Sequence, residues 1–406
     1  METMRFAMVT THYPPNHIGG DAVLTKYLSE ELVAQGHEVH VIFSPAVFRT
    51  LRSGSATNRR PGCTRSGLTT HAIETGTPRV DIARAYAFGW SRGNEKSVLD
   101  TVARTGADVV HWHNTRGFVA RPPNIGGVVQ LHTAHDYYDV CPRADLLRAG
   151  GRPCQVPHLC MLCTVRRRRI PQLWRIGRSR VIGFPKDMRI MCPSEFMRER
   201  LEEDGVRNIH LMRNFVPRPV PRSAQEGDER RTLLYLGILE SHKGPHTLID
   251  AFAKSAGMHD FELVIVGDGT MRGALESRVR ALGMTDRVRF AGYLPDAELD
   301  DFFRRTAYMI IPSEWFENAP LTVLESFSRG VPVIGSDIGG LPEILHARSG
   351  SFTFKPGDSS DLASEIIHAW SHRDKLDSNS NAARRYYEEN FSPEKHIREY
   401  LRLVKY

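Results

Sequence analysis

Three observations predict an α/β protein built as two doubly wound, Rossmann-like domains with parallel sheets, facing across a cleft. Strand and helix signals alternate in two successive series. A proline-rich joint, Asn214–Arg231, separates them, with Pro217, Pro219 and Pro221 among charged and small polar residues. Glycine turns follow several of the strands, where ligands of such sheets bind. The length of 406 residues fits two or three domains at roughly 150 each. A hydrophobic content of 41% and a charged content of 25% suffice for sizeable cores.

The elements follow in order. Arg5–Thr10 reads as the first strand, and a Gly19-Gly20 loop follows. Asp21 is expected to cap a helix reaching about Gln35, with Leu24, Tyr27, Leu28 and Leu32 at helical spacing before Gly36. "HEVHVIF" is the next strand. Residues 50–95, rich in Gly, Ser, Thr and Arg, read as loop with at most one short helix. Strands are expected near Val109–Trp112 and Val128–Leu131. After the joint, "TLLYLGIL" opens the second series. It continues with helix His246–Ser255, strand "FELVIVG", helix Met271–Leu282, strand Arg287–Ala291, helix Asp296–Arg305 and strand Tyr308–Ile311. We expect domains at 1–216 and 217–385, with a charged helix over 386–406 crossing back to the first.

A net charge of +7 and a pI near 9.1 favour anionic partners such as nucleotides or phosphosugars. No nucleic-acid-binding module is legible, so no nucleic acid is expected. The apolar start is too short and broken for a secretory core, and no run approaches about 20 apolar residues. A cytoplasmic setting is expected, peripheral at the inner membrane face if the arginine-rich run described below makes contact. In that compartment the cysteines would be thiols or metal ligands rather than disulfides.

In "FENAPLTVLESFSRGVPVIGSDIGGLPEIL", Glu317 and Glu325 flank Pro320. Proline suits the first turn of a helix, predicted over Pro320–Arg329 with Leu321, Leu324 and Phe327 buried. The open N–H groups near Ala319–Thr322 would then form an anion site, reinforced by the helix dipole. One acid stands beside that site and one lies deeper along the helix. Such a pair suits the two sugar rings of a nucleotide-sugar. A dipole-favoured acid and a solvated helix residue are the plainer reading.

"CPRADLLRAGGRPCQVPHLCMLC" spaces Cys141, Cys154, Cys160 and Cys163 as C-x12-C-x5-C-x2-C. Four thiolates ending in C-x2-C can close a tetrahedral zinc site. An iron–sulfur cluster, unbridged thiols or disulfides remain alternatives. Cys63 and Cys192 look like bystanders. His111 and His113 share one strand face and are candidates to line an acceptor site. The run Arg166–Arg180 interleaves arginines with Trp174. It reads either as a peripheral contact with an anionic membrane or acceptor, or as a solvated face.

Taken together, these stretches resemble the retaining glycosyltransferases of family 4, of the GT-B fold, with their E-x7-E signature. "YPPNHIGG", "GILESHKGPHTLIDAF", "LVIVGDGTMRGALES", "VRFAGYLPDAELDDFF" and "GVPVIGSDIGGLPEIL" each resemble a family segment, in order, over nearly the whole chain. The resemblance implies transfer of a sugar from a nucleoside-diphosphate donor, a UDP- or GDP-sugar, to a hydroxyl acceptor in a glycan, lipid or natural product, with retention and no catalytic metal. It implies that Glu325 holds the ribose, and that Glu317 with Asn318, Ala319, Pro320 and Leu321 holds the sugar. It implies Lys243 on the diphosphate, and Gly19, Gly20, Gly237, Gly267, Asp268, Gly269, Tyr293 and Leu294 around the donor. His135 would stand beside the reaction centre, with Asp136, His111 and His113 toward the acceptor. The family usually carries Arg where this chain has Ile238, so Arg272, Arg287 or another cation would have to compensate. A nucleotide-sugar 2-epimerase, or a non-catalytic sugar- or metal-binding protein on the same scaffold, is the competing reading. Gly267, Gly269 and Gly273 also approximate a dinucleotide fingerprint, with its last gap one residue too long.

Overall fold

In the computed structural model, apolar runs bounded by glycine turns become buried parallel strands, as sheets covered on both faces require. The structure describes residues 2–16, 19–51, 66–74, 78–89, 91–147, 154, 160–166, 168–175, 182–219, 230–294 and 296–405. Two compact units result. Met1–Asn214 with His396–Tyr406 forms one, and Phe215–Lys395 the other.

The first unit contains β1 (Arg5–Val9), α1 (Gly20–Ala34), β2 (Glu38–Phe43), α2 (Pro45–Leu51), β3 (Leu68–Ala72), α3 (Pro78–Phe88) and α4 (Arg92–Thr105). β4 (Val109–Trp112), β5 (Val129–Thr133), α5 (Cys160–Arg166), β6 (Arg189–Cys192), α6 (Glu195–Glu203) and β7 (Ile209–Leu211) follow. Its sheet runs β3-β2-β1-β4-β5-β6-β7, all parallel. The chain winds outward from β1 to β3, then returns to β4 on the other side of β1. The carboxyl ends of β1 and β4 therefore form a topological switch point, where such sheets open a crevice for ligands.

The second unit contains β8 (Thr232–Leu236), α7 (Pro245–Ser255), β9 (Glu262–Val266), α8 (Arg272–Ala281), β10 (Val288–Gly292), α9 (Asp296–Arg305) and β11 (Thr306–Ile311). α10 (Leu321–Ser328), β12 (Val333–Ser336), β13 (Phe352–Phe354), α11 (Ser359–Ser371) and α12 (Leu376–Asn390) complete it. Its parallel sheet is ordered β10-β9-β8-β11-β12-β13, with its switch point between β8 and β11. Leu233, Leu248, Phe252, Leu263, Ile265 and Ile310 fill the core against α7 and α11. α13 (Pro393–Lys405) ends the chain, and Tyr400, in the portion that belongs to the first unit, donates to or accepts from His111 Nδ1 at 3.1 Å.

Several boundaries differ from the sequence expectation. α1 starts at Gly20 with Gly19 as its cap, so Asp21 lies in the first turn rather than capping it. Residues 66–95 hold β3, α3 and the start of α4. β3 reads "LTTHA", a polar edge strand, and α3 lacks a clean apolar stripe, so neither shows strong periodicity. Pro320 is extended, at φ −67° and ψ 128°, and caps α10 instead of starting it. The charged C-terminal stretch is two helices, broken before Pro393.

Candidate functional site

In the second unit the loops leaving β8, β9, β11 and β12 converge. The turn Ser241–Lys243 after β8 is fastened to the β11 exit, because the Glu314 N–H donates to His242 O at 2.9 Å. Gly244 makes this approach possible. Its φ is +65°, and a Cβ there would lie 1.8 Å from Pro312 O. Lys243 is thus brought to Glu317, with Nζ 2.7 Å from Oε1 and 4.8 Å from the Trp315 ring centre. Ser313 Oγ donates to the same oxygen at 2.5 Å. Glu317 is 5% exposed. Burial alone would raise its pKa, but the Lys243 charge and the hydrogen bonds from Lys243 and Ser313 outweigh burial and hold the carboxyl below its usual range.

The glycine turn after β12 supports the same loop. Gly340 N–H donates to Glu317 O at 2.7 Å, and a Cβ on Gly339, at φ +63°, would lie 2.3 Å from that oxygen. Asn318 is buried and Ala319 half-buried ahead of α10. Leu321, Leu324 and Phe327 face the core, whereas Glu325 shares a half-exposed stripe with Thr322 and Arg329. The loop after β9 joins in: Leu239 N–H donates to Asp268 O, Gly269 N–H to Asp268 Oδ1, and Thr270 to the Glu240 carboxylate. Gly237 N–H donates to Val266 O and Gly267 N–H to Gly292 O. Tyr293 stands 80% exposed past β10, beside half-buried Leu294.

The two arginines considered as substitutes at Ile238 separate clearly. Arg287 precedes β10, at the opposite end of the sheet, and its guanidinium is taken up by Ala256 O, His259 O and Phe261 O. Arg272 lies at the correct end, paired with Glu276 at 2.9 Å and Asp268 at 3.6 Å. The dinucleotide fingerprint loses its basis at Gly273. That residue lies inside α8 with nothing within 4 Å of a Cβ, so it provides no close helix–strand packing.

In the first unit, imidazoles gather at the switch point. His113 Nδ1 and His135 Nε2 are 2.9 Å apart, and His111 Nε2 meets Thr133 Oγ1 at 2.8 Å. His132 Nε2 meets Asp139 Oδ2 at 2.8 Å. A cavity of about 10 Å³, room for one water-sized group, is lined by His113, Asn114, His132, Thr133, His135 and Asp136, among others. Burial, with His132 nearby, pushes His135 down to about 3, and burial holds His111 and His113 well below their ordinary value. His135 is therefore a neutral hydrogen-bonding group. Asp136 accepts from Tyr138 N–H at 2.8 Å, yet burial raises it to about 6 against that bond and the Arg116 charge. Gly19 and Gly20 open α1 beside this cluster, where burial raises Asp21 against a hydrogen bond from Asn114.

Among the described residues, no three His, Cys, Asp or Glu side chains are gathered as a metal would require. Cys154 N–H donates to Leu146 O, and Arg143 Nη1 donates to Cys163 Sγ at 3.4 Å. Cys141 is half-buried, and desolvation raises its thiol. Cys63 and much of the insert, 148–153 and 155–159, lie outside the described residues. Sequence reasoning passed over Glu314, which accepts from Thr247 Oγ1 at 2.5 Å and pairs with His246 at 3.2 Å. It also passed over Ser313 and Trp315, although all three stand in "SEWFE" beside the signature acid.

Two parallel-sheet units with loops gathered at their switch points define the class: a glycosyltransferase fold of the GT-B kind. Residues 18–218 match the model of Glycosyltransferase Family 4, and residues 219–386 match Glycosyl transferases group 1. The chain is a glycosyltransferase belonging to this family. It is 27% identical over 404 residues to glycogen synthase of Mycobacterium tuberculosis, covering 94% of this chain and 88% of that one. Sucrose-phosphate synthase from Thermosynechococcus elongatus has the same fold, with TM-score 0.74 and 18% identity over 99% of this chain and 98% of that one. So does Anabaena HepE, solved with UDP and glucose, with TM-score 0.67 and 15% identity over 99% of each chain.

Proposed function

We propose that the protein is a retaining hexosyltransferase that moves a sugar from a UDP- or GDP-sugar to a hydroxyl acceptor. The observation that carries this reading is the Lys243–Glu317 contact of 2.7 Å at the entrance of α10. An incoming diphosphate offers the Lys243 ammonium a stronger anionic partner and releases Glu317 to accept hydrogen bonds from sugar hydroxyls. The N–H groups at the start of α10, with the helix dipole, add donors for the phosphates or the sugar. Lys243 then neutralises the diphosphate as it leaves, which is the main electrostatic demand of the step. Glu325, one stripe away from the buried face, would take the ribose hydroxyls, and Tyr293 would offer a flat surface near the base. His135, kept neutral, would hydrogen-bond the sugar rather than repel the forming oxocarbenium. The acceptor proton would pass to the leaving phosphate on the same face, which accounts for retention without a protein nucleophile.

A thermal-shift panel of nucleoside diphosphates and nucleotide-sugars tests the assignment, since binding raises the melting temperature with ligand concentration over Kd. Glu325→Ala should abolish the shift. Glu317→Gln should keep the response to the bare diphosphate and lose the sugar's increment. Equal responses from both variants and the parent would remove the site. We propose further that Cys141, Cys154, Cys160 and Cys163, which are not gathered as a metal would require in this structure, draw together around a structural zinc when it binds. Protein purified anaerobically without a metal-binding tag should then carry about one zinc per chain. Less than about a quarter of an equivalent would end that reading.

A further inference from the structure

Large apolar side chains left in solvent are concentrated in one part of the first unit. Among the described residues, eleven such side chains are exposed, and six of them are Phe88, Met161, Leu162, Val165, Ile170 and Leu173. Two short segments supply all six, so scattered surface exposure does not account for them. The segments are joined. Trp174 Nε1 donates to Tyr86 O at 3.1 Å, and the Trp174 ring covers Gly89, fastening the 170–175 stretch to the end of α3.

The helix α5 explains the pattern. Thr164 is buried and donates to Cys160 O, so that side of the helix faces the protein. Met161, Leu162 and Val165 lie at i, i+1 and i+4, on a face turned to solvent. An ordinary surface helix would place charged residues there. The charges come next instead: Arg166, Arg168 and Arg169 are exposed directly after the apolar face, with Arg168 N–H bonded back to Val165 O. No Asp or Glu occurs between Cys160 and Arg175 to neutralise them.

We propose that this face is a docking surface for an anionic lipid bilayer. The apolar side chains would enter the boundary between headgroups and acyl chains, the arginines would meet lipid phosphates, and half-buried Trp174 would lie at the interface. An acidic protein surface could satisfy the arginines but would leave the exposed Met161, Leu162 and Val165 face without the continuous apolar layer a membrane offers. This inference stands apart from the donor chemistry, because none of these residues belongs to the sites described above.

Co-flotation of the full chain with vesicles tests it, using phosphatidylcholine alone and phosphatidylcholine mixed with phosphatidylglycerol. We expect binding only to the anionic vesicles, weakened by salt. Each Arg→Gln at 166, 168 or 169 should lower the partition coefficient about fivefold, and M161S/L162S together should lower it about tenfold. Circular dichroism and melting curves confirm that the variants fold. Failure to bind anionic vesicles overturns the proposal, as does equal binding to neutral ones, or binding undiminished in both sets of variants. Concentration-dependent self-association of the parent that M161S/L162S abolishes would assign the face to a second copy instead.

Discussion

Replacing Lys243 by methionine isolates the interaction on which the proposed donor site depends. The Lys243 side chain is 23% exposed and that of Glu317 7%, so the change strands a carboxylate in a nearly dry site. Removing one partner of a fully buried pair costs about 3–5 kcal/mol. Here the ammonium retains some water, and Ser313 still donates to Glu317, so about 2–3 kcal/mol is expected near neutral pH. The pH dependence carries the sharper signature. In the parent, Glu317 is held below the ordinary carboxylate range, so its contribution is present above about pH 4.3 and lost as pH falls through the folded pKa. In the variant, burial is left largely unopposed and drives the same carboxyl upward. Its folded form then binds a proton more readily than its unfolded form, and stability falls as pH rises. The gap between parent and variant must therefore widen from about pH 5 toward neutrality. Hydrogen exchange of peptides spanning 232–354 under mild denaturant reads the second unit separately. A gap that is the same at both pH values, or no gap at all, would show that Lys243 does not keep Glu317 ionised. The same variant should lose the nucleoside-diphosphate thermal shift.

Two glycines should respond in opposite directions. Gly339→Ala places a methyl 2.3 Å from Glu317 O at a φ of +63° and should cost about 1–3 kcal/mol in denaturation, with weaker donor binding, whereas Gly273→Ala, inside α8 with open space around it, should gain about 0.5–1 kcal/mol. The first unit should soften in mild acid. His135 is lowered to about 3 and His396 to about 4, so their contribution is complete above about pH 6.5 and falls away toward pH 4. His396→Gln should flatten that slope by up to about 3 kcal/mol, read by urea denaturation across the window. Asp136, raised to about 6, works the other way between about pH 4 and 6 and only partly offsets the histidines.

The fold was legible where apolar runs were long and turns were marked by glycine or proline. That holds for β1, β9 and β11 and for the helix after Pro320. It failed over residues 66–95, because an edge strand such as "LTTHA" needs only one covered face and α3 owes its place to packing. The positions of the two acids were legible, since Glu317 stands in the loop before α10 and Glu325 on its half-exposed stripe, where the proline pattern put them. Their partners were not. Nothing local in "SEWFE" or "SHKG" tells that Lys243 and Glu317, 74 residues apart, meet at 2.7 Å. That contact depends on β8 and β11 lying side by side in the sheet, with Gly244 thin enough to let the two exits touch.

The same logic explains why the protonation of His135 was not legible in the sequence. A motif fixes the residue type, but the neutral state comes chiefly from burial, with His132 adding to it. His113 reaches His135 from β4, and His132 on β5 is itself occupied by Asp139. His111 is held by Thr133 and by Tyr400, which returns from the far end of the chain. Burial penalises a proton on His111, His113 or His135, and neighbouring imidazoles add to that penalty, so each of these three is held below its ordinary value. In the role proposed for His135 a cationic ring would repel the developing positive charge of a departing sugar, and the burial that lowers its pKa suits it to that role. The identity of the side chain is therefore local information, and its chemical state is a property of the assembled unit.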